Sequence, residues 1–556
     1  MAQWKENVTK IPSFCYALYL DALTKRQTMD LRDKIPACID FYEGRQWPEP
    51  TESTKNLPRP VVNIIKMICR SKKGAILSTP VKVQYKSYSS YTDTEKFNAF
   101  AKSVFKGMHQ EELDRKGIDS AIKKGSYFFH YFWDSEAISL QGGESGALMC
   151  ELIDPLNIFF SDPAQFDEQK QDWIMIVSKK PVSKIISLCD EASTSRHLEY
   201  LISTDEARDE EGKVKLFTRY FRKNGEIWCE RHTMYHTISR PFKVIPNHSG
   251  IILDGQNGSQ EQEKMRHSPI KNVFKRELYP IVCGVYESRE GSIYGMGEVE
   301  GLIPNQKSIN FNIAMSLLNA QQCAWGKYIA LPNALNGQKI SNVPGQILID
   351  YSGTGQGIKR LPEGELSKSP LEITTLLEEL TRSTSGASDV VTGESFGTNL
   401  SGAAIAYLQA QAQVPLEELK SEFYSVKRKQ GEVVAQFLKH YYFKRAFIKE
   451  VQEQKGNIHE EFDEFSSIDF ENSLFDVYVE AVGGTKATVA SDISMLDTCL
   501  KNGSISLETY IRAYPESAIT NKEAILKQIE LEKSSEINAL RAELAKIKQK
   551  SKGESK

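Results

Sequence analysis

The chain has 556 residues, enough for several domains at the usual roughly 100–200 residues each. Its 70 Lys and Arg against 73 Asp and Glu leave a formal net charge of −3. That balance excludes a polycation gripping nucleic acid by its phosphates, which needs a basic excess. It suits a surface over which a polyanion slides, and equally an ordinary soluble enzyme. The nine cysteines are scattered with no C-x-x-C pair, an unpatterned odd set that reads as reduced thiols in a cytoplasmic protein. We expect no signal peptide ahead of Trp4 and Lys5. No run approaches the roughly 18–20 consecutive apolar residues of a membrane span.

Residues up to about Arg45 read as amphipathic helix, leading into Phe41-Tyr42-Glu43-Gly44-Arg45-Gln46-Trp47-Pro48 and a Pro-rich linker. Asn63 opens a helix that stops before Thr79-Pro80, and Val81-Lys82-Val83-Gln84-Tyr85 alternates like a strand. Lys96 to Lys123 is a helical pattern ending at Lys124-Gly125, with cations suited to a helix C-terminus. Ser126 to Trp133 is an aromatic strand, buried on both faces. Further strands are expected over Leu148–Ile153 and Trp173–Val177, with Asp154-Pro155 and Asp162-Pro163 turns bracketing Ile158-Phe159-Phe160. From about Leu198 to Val282 the reading is β-rich, with Leu216–Phe221 and Ile227–Ile238 as antiparallel candidates and Asn247–Ser268 as a polar loop.

Glu298 to Trp325 then shows apolar residues at Val299, Leu302, Ile309, Ile313, Leu317 and Ala324, one stripe along a helix. From Ser308 to Gly326 there is no charge, yet the other face carries Asn312, Ser316, Asn319 and Gln322. We expect such a helix to be packed on several sides, as helices in a ring are. Lys327 to Ser369 is punctuated by Gly and Pro, with Gln346–Tyr351 as a short β run. A second helix opens with Ser369 as N-cap, Pro370 at N1 and Glu372 at N3. Its stripe is Ile373, Leu376, Leu377, Leu380, Ala387 and Val391. The loop Gly393-Glu394-Ser395-Phe396-Gly397-Thr398-Asn399 follows, then a long helix from Ser401 to about Arg445, kinked at Pro415. Beyond it come an acidic linker over Glu450–Asp469, a strand at Leu474–Val479, and a helix over Ser491–Asn502. After a turn at Gly503, Ser506 caps a short helix stopping at Pro515, and a charged helix starts at Thr520.

Three constellations bear on catalysis. Gly393-Glu394-Ser395-Phe396-Gly397 matches the G-x-S-x-G nucleophile elbow, but that turn needs a strand before it. Here a helix precedes it, the later histidine could only be His440 or His459, and no Gly-rich oxyanion segment is evident. Cys229, His232 and His236 have a C-x2-H-x3-H spacing. On a strand, however, Cys229 points away from the histidines, so exposed strand histidines are the reading and zinc the alternative. Gly353-Thr354-Gly355-Gln356-Gly357-Ile358-Lys359 is neither G-x-G-x-x-G nor a P-loop and reads as a turn. No ATPase motif is found.

The order helix, small β module, capped helix, short loop and long Pro-containing helix resembles the core of the tailed-bacteriophage portal proteins. So do the Gly44-x-x-Trp47 stretch, the Asn63-led helix before Pro80, the paired Asp-Pro turns, and the Gly503/Ser506/Pro515 helical pair. The resemblance implies an α+β portal fold. Its parts would be an N-terminal wing (1–297), stem helix 1 (298–326), clip (327–369), stem helix 2 (370–392), tunnel loop (393–400), a kinked helix with return to the wing (401–490), and a crown with C-terminal helix (491–556). It implies no catalytic residue, metal or cofactor. Stem packing would use Ile309, Ile313, Leu317, Leu376 and Leu380. The channel would be approached by Gly393, Glu394, Ser395, Phe396, Gly397, Thr398 and Asn399, where the single charge, Glu394, repels phosphate. The implied partners are copies of the chain in a ring, in the virion a dodecamer, and double-stranded DNA passing without sequence specificity. The terminase large subunit, the major capsid and scaffolding proteins, and head-completion, adaptor or tail proteins complete the set, with no membrane. The implied place is the portal vertex of the virion, after assembly in the bacterial host cytoplasm. The competing readings are a serine hydrolase at Ser395 and a helical virion scaffold or adaptor.

Overall fold

The computed structural model describes residues 2–52, 54–55, 57–78, 80–88, 93–137, 142–143, 146–189, 199–203, 209–245, 277–324, 328–331, 334–339, 349–353, 356–360, 369–386, 402–454, 457–470, 473–481, 486–503, 505–514, 525–526 and 528–529. Two compact units are present, one built from 1–76, 83–395 and 412–479, the other from 77–82, 396–411 and 480–556. Helices and antiparallel strands are mixed throughout. Among the described residues no helix is long and apolar enough to cross a membrane.

In the first unit the opening segment forms α1 (Ala2–Gln27) and α2 (Leu31–Glu43), ended by Gly44 at φ +94°. Asn63 accepts the amide of Lys66 and starts α3 (Ile64–Leu77). The helical stretch expected as one run is two, α4 (Thr94–Gly107) and α5 (Gln110–Lys124). They part where His109 takes a left-handed conformation, φ +53°, which no helix interior tolerates.

The aromatic strand β2 (Ser126–Asp134) is buried through its first six residues. It lies between β10 (Ile281–Val285) and β4 (Ala147–Ile153) in an antiparallel sheet. A second antiparallel sheet has the order β5 (Ile158–Phe160), β6 (Trp173–Pro181), β7 (Lys213–Lys223), β8 (Glu226–His232) and β9 (Thr237–Lys243). The strand expected over Ile227–Ile238 is thus two strands, because Thr233 and His236 close a turn between them. The polar loop 247–268 lies outside the described residues.

The acidic linker expected over Glu450–Asp469 is instead a hairpin, β15 (Arg445–Gln454) with β16 (Asn457–Phe465). Apolar anchors make it a strand pair despite its charge. Phe447 and Phe465 are buried against Phe100 of α4, and the Phe100 and Phe465 rings stack at 4.0 Å. Phe97 stacks on Phe475 at 4.1 Å, drawing β17 (Phe475–Ala481) onto the same core. Within this unit β17 pairs with β1 (Val81–Ser87).

The long helix, α9 (Gly402–Tyr441), runs through Pro415 as one helix and ends four residues short of Arg445, which is a buried residue of β15. In the clip-like stretch the paired strands among the described residues are β13 (Tyr328–Ala330) and β14 (Ile358–Arg360), and residues 346–348 of the β run expected over Gln346–Tyr351 lie outside the described residues. Asp350 turns the chain there, its carboxylate accepting the amides of Ser352 and Gly357.

In the second unit α10 (Lys486–Lys501) and α11 (Leu507–Ala513) flank Gly503, at φ +68°. Ser506 caps α11 by accepting the Thr509 amide, and Tyr510 donates to Asp497 across the pair at 2.5 Å. Of the helix expected from Thr520, residues 525–526 and 528–529 are described and are helical.

Candidate functional site

Two helices carry the expected stem, α7 (Glu298–Ala324) and α8 (Ser369–Thr384), packed side by side. The first turn of α7 is acidic, as a helix N-terminus favours. Glu298 pairs with the buried Lys72 at 2.7 Å and accepts from Tyr286 at 2.6 Å, and Glu300 pairs with Arg289 at 2.8 Å. Burial and the Glu298 charge both hold the Tyr286 phenol protonated far above its ordinary range.

The polar face of α7 has an intramolecular role that the sequence reading missed. Gln306 is buried and its Oε1 accepts the amides of Ile64 and Ile65 at 3.1 and 3.4 Å, capping α3 from outside its own chain segment. Its Nε2 donates to Val62 O and to Asn310, and Asn310 donates to Gln46 Oε1 at 2.6 Å. These groups complement Asn63, which caps Lys66, by taking the remaining orphan amides at the head of α3. Their signal was present as the i, i+4 pair Gln306 and Asn310, hidden by the neighbouring run of uncharged polar residues.

The apolar stripe of α7 divides. Val299, Leu302 and Ile309 are buried inside the protomer, Ile313 is half-buried, and Leu317 is exposed together with Phe311 and Met315. Helices α2, α5 and α8 all pack on α7, and α8 already meets its first half at Asn305. Ile309 is therefore a core residue of its own protomer rather than an interface residue, which corrects the expectation for that position.

On α8 the faces are arranged in the opposite sense to a helix packed in a monomer. Thr374, Leu377 and Thr381 form the inner row, at i, i+3 and i+7; both threonines are buried, and Thr381 Oγ1 accepts from Asn305 of α7 at 3.1 Å. The apolar row Ile373, Leu376 and Leu380, at the same spacing, is exposed by 44%, 54% and 50%. The helix ends at Thr384. Ala387 and Val391, expected on its stripe, lie outside the described residues, as do Gly393 to Asn399 and with them Ser395.

Cys229, first of the three residues with zinc-like spacing, sits on the face of β8 opposite His232, as expected from the strand period. Cys229 is opposed to Tyr220, and burial pushes its thiol up to about 12. His236 stands in the turn to β9. The three are not brought together, and His232 is fully buried rather than exposed.

Behind the helix pair, α9 is fastened by charge. Lys427 pairs with Asp114 of α5, both buried, and Gln430 Nε2 donates to the same carboxylate at 3.0 Å. Gln110 adds a third bond to Asp114 at 3.1 Å and accepts from Tyr131 of β2. Lys429 reaches the buried Glu168 at 2.9 Å; burial raises that carboxyl, and the lysine partly offsets it.

Residues 260–468, a span that takes in α7, α8 and α9, match the model of the phage P22-like portal protein family. No curated protein matches the chain. An acid-tipped helix, a short β module, a helix with its apolar row turned outward and a long helix locked at its base thus fall inside the matched span. The match covers 209 of the 556 residues and supports a tailed-phage portal protein.

Proposed function

We propose that this chain forms a closed ring, a dodecamer, at one vertex of a tailed-phage capsid. Through it the terminase motor packages double-stranded DNA, and the DNA later leaves by the same axis past head-completion or tail proteins. The observation that carries this reading is the outward apolar row of α8. A soluble monomer gains nothing from Ile373, Leu376 and Leu380 in water, but a neighbouring copy covering them removes that surface at roughly 25 cal/mol per Å². Phe311, Met315 and Leu317 of α7 extend the surface a second copy would meet.

In this reading residues 393–399 form the loop nearest the DNA, with Glu394 as its charge and glycines at both ends. The protein performs no chemistry of its own, and the terminase supplies the work of packaging. The test is the mass and image of the purified chain. A ring of many copies with an axial hole is expected, and a stable monomer at micromolar concentration refutes the reading. Deleting Gly393 to Asn399 should leave rings intact while packaging or retention of DNA fails. Unaffected packaging would remove the loop from the DNA path. An esterase activity abolished by Ser395→Ala would overturn the assignment as a whole.

A further inference from the structure

One cluster in the five-stranded sheet has no part in the portal reading. Along β8 the two-residue period turns Glu230 and His232 to one face, opposite Arg219 and Phe217 of β7. Helix α1 lies over that face, with Cys15, Tyr19 and Ala22 packed on Phe159, Trp173, Met175, Val177 and Phe217. The packing delivers Cys15 Sγ to 3.3 Å from Glu230 Oε1, while His232 Nε2 stands 3.5 Å from Glu230 Oε2.

We infer that Cys15, Glu230 and His232 form a site for one zinc-class divalent cation, with water at a fourth position. All three side chains are buried, and their ligand atoms lie within 4.8 Å of one another. A tetrahedral ion with bonds of about 2.0 Å to nitrogen or oxygen and about 2.3 Å to sulfur spans ligand pairs about 3.3–3.6 Å apart. The Glu230 Oε2 to His232 Nε2 separation falls at that spacing, and Cys15 Sγ lies against the other oxygen of the same carboxylate.

His232 provides the independent sign of a ligand. The residue is wholly enclosed, and neither ring nitrogen has a hydrogen-bond partner. A buried imidazole in that state is costly, and a metal ion at Nε2 relieves it. A thiolate, an imidazole and one carboxylate oxygen select zinc over magnesium or calcium, which take oxygen ligands.

Arg219 fits as an outer partner. Its Nη1 holds Glu230 Oε1 at 2.7 Å, which fixes the carboxylate and leaves Oε2 toward the histidine. On binding, the Cys15 thiol releases its proton to solvent and the thiolate sulfur takes the ion. The ion would then clamp α1 to a strand 215 residues away in sequence.

The experiment uses the full chain, freed of metal with a chelator and titrated with cobalt(II). One equivalent per protomer should give a thiolate-to-cobalt charge-transfer band and the strong visible bands of a tetrahedral site, and zinc should displace it. Cys15→Ala and His232→Gln should each abolish the bands, while Cys229→Ala, on the opposite face, should keep them. Should a variant misfold, X-ray absorption at the zinc edge of the wild-type chain decides. One sulfur among nitrogen and oxygen neighbours supports the site, whereas no sulfur, or two or more, overturns it. A wild-type chain without cobalt bands, or bands that survive Cys15→Ala, also overturn it.

Discussion

Replacing Asp114 by alanine tests how α9 is held. The carboxylate accepts from Lys427, Gln430 and Gln110, and all four residues are buried. Removing one partner of a buried ion pair costs about 3–5 kcal/mol, because the other charge stays desolvated. Two amides also lose an acceptor, each a further cost of about 1–3 kcal/mol before the site relaxes or takes in water. Taking relaxation into account, about 4 kcal/mol is a conservative figure, close to a thousandfold in the folding constant.

The assay is urea denaturation followed by tryptophan fluorescence at fixed protein concentration, comparing midpoints. Asp114→Ala should unfold at clearly lower urea. The double variant Asp114→Leu with Lys427→Met should recover the part of the loss due to the unpaired lysine, since apolar residues of similar volume replace a buried pair at little cost, while the Gln430 and Gln110 amides still lack their acceptor. An unmoved midpoint in the single variant, or a double variant as damaged as the single, would refute the argument that this charge pair holds the helix.

Leu376→Asp should leave the protomer folded within about 0.5 kcal/mol, because the side chain is half exposed, yet stop ring formation in a mass measurement. Ile309→Asp should do the reverse, lowering the yield of folded protomer by burying a charge in its core. Gly125→Ala should destabilise by about 2 kcal/mol or more, since the residue sits at φ +85° and a Cβ would press on the Gly295 carbonyl. A Tm within 1 °C of wild type, on the scale of roughly 2–4 °C per kcal/mol, would contradict that. Burial pushes the thiols of Cys38, Cys69 and Cys229 up to about 12. A raised folded pKa gives stability that is whole below the unfolded value of about 8.5 and lost as pH rises toward 12, at about 1.4 kcal/mol per pH unit for each thiol. Tm should therefore fall between pH 9 and 11, less steeply in Cys69→Ala, and a flat profile would show these thiols to be hydrated.

Much of the element order was legible because the chain marks its own helix ends. Asn63, Gly44, Gly125 and Ser506 act as the capping rules require, and the start expected for α7 at Glu298 is where the helix begins. What escaped depended on partners remote in sequence. Nothing near His109 announces a left-handed residue, and the dense charge of β15 and β16 concealed the phenylalanines that seat them. Periodicity showed that Leu376 and Leu380 share a face but could not say that the threonine row would turn inward instead. For the same reason a local spacing suggested Cys229 with His232, whereas the fold brings Cys15 of helix α1 beside Glu230.

Where α5 ends and α7 begins, Gly125, Gly295 and Gly297 meet backbone to backbone. A Cβ on Gly297 would stand 2.9 Å from Gly125 N, and the Gly125 carbonyl already takes the Tyr286 amide at 2.9 Å. Elements separated by side chains can slide as those side chains change rotamer, but here there are none to give. The joint is mechanically stiff, so a push along α7 passes to the turn after α5 undiminished instead of being absorbed at the contact. Hydrogen exchange should register this as one opening event shared by the amides of Gly125, Tyr286 and Gly295, with independent rates at the three showing a compliant joint.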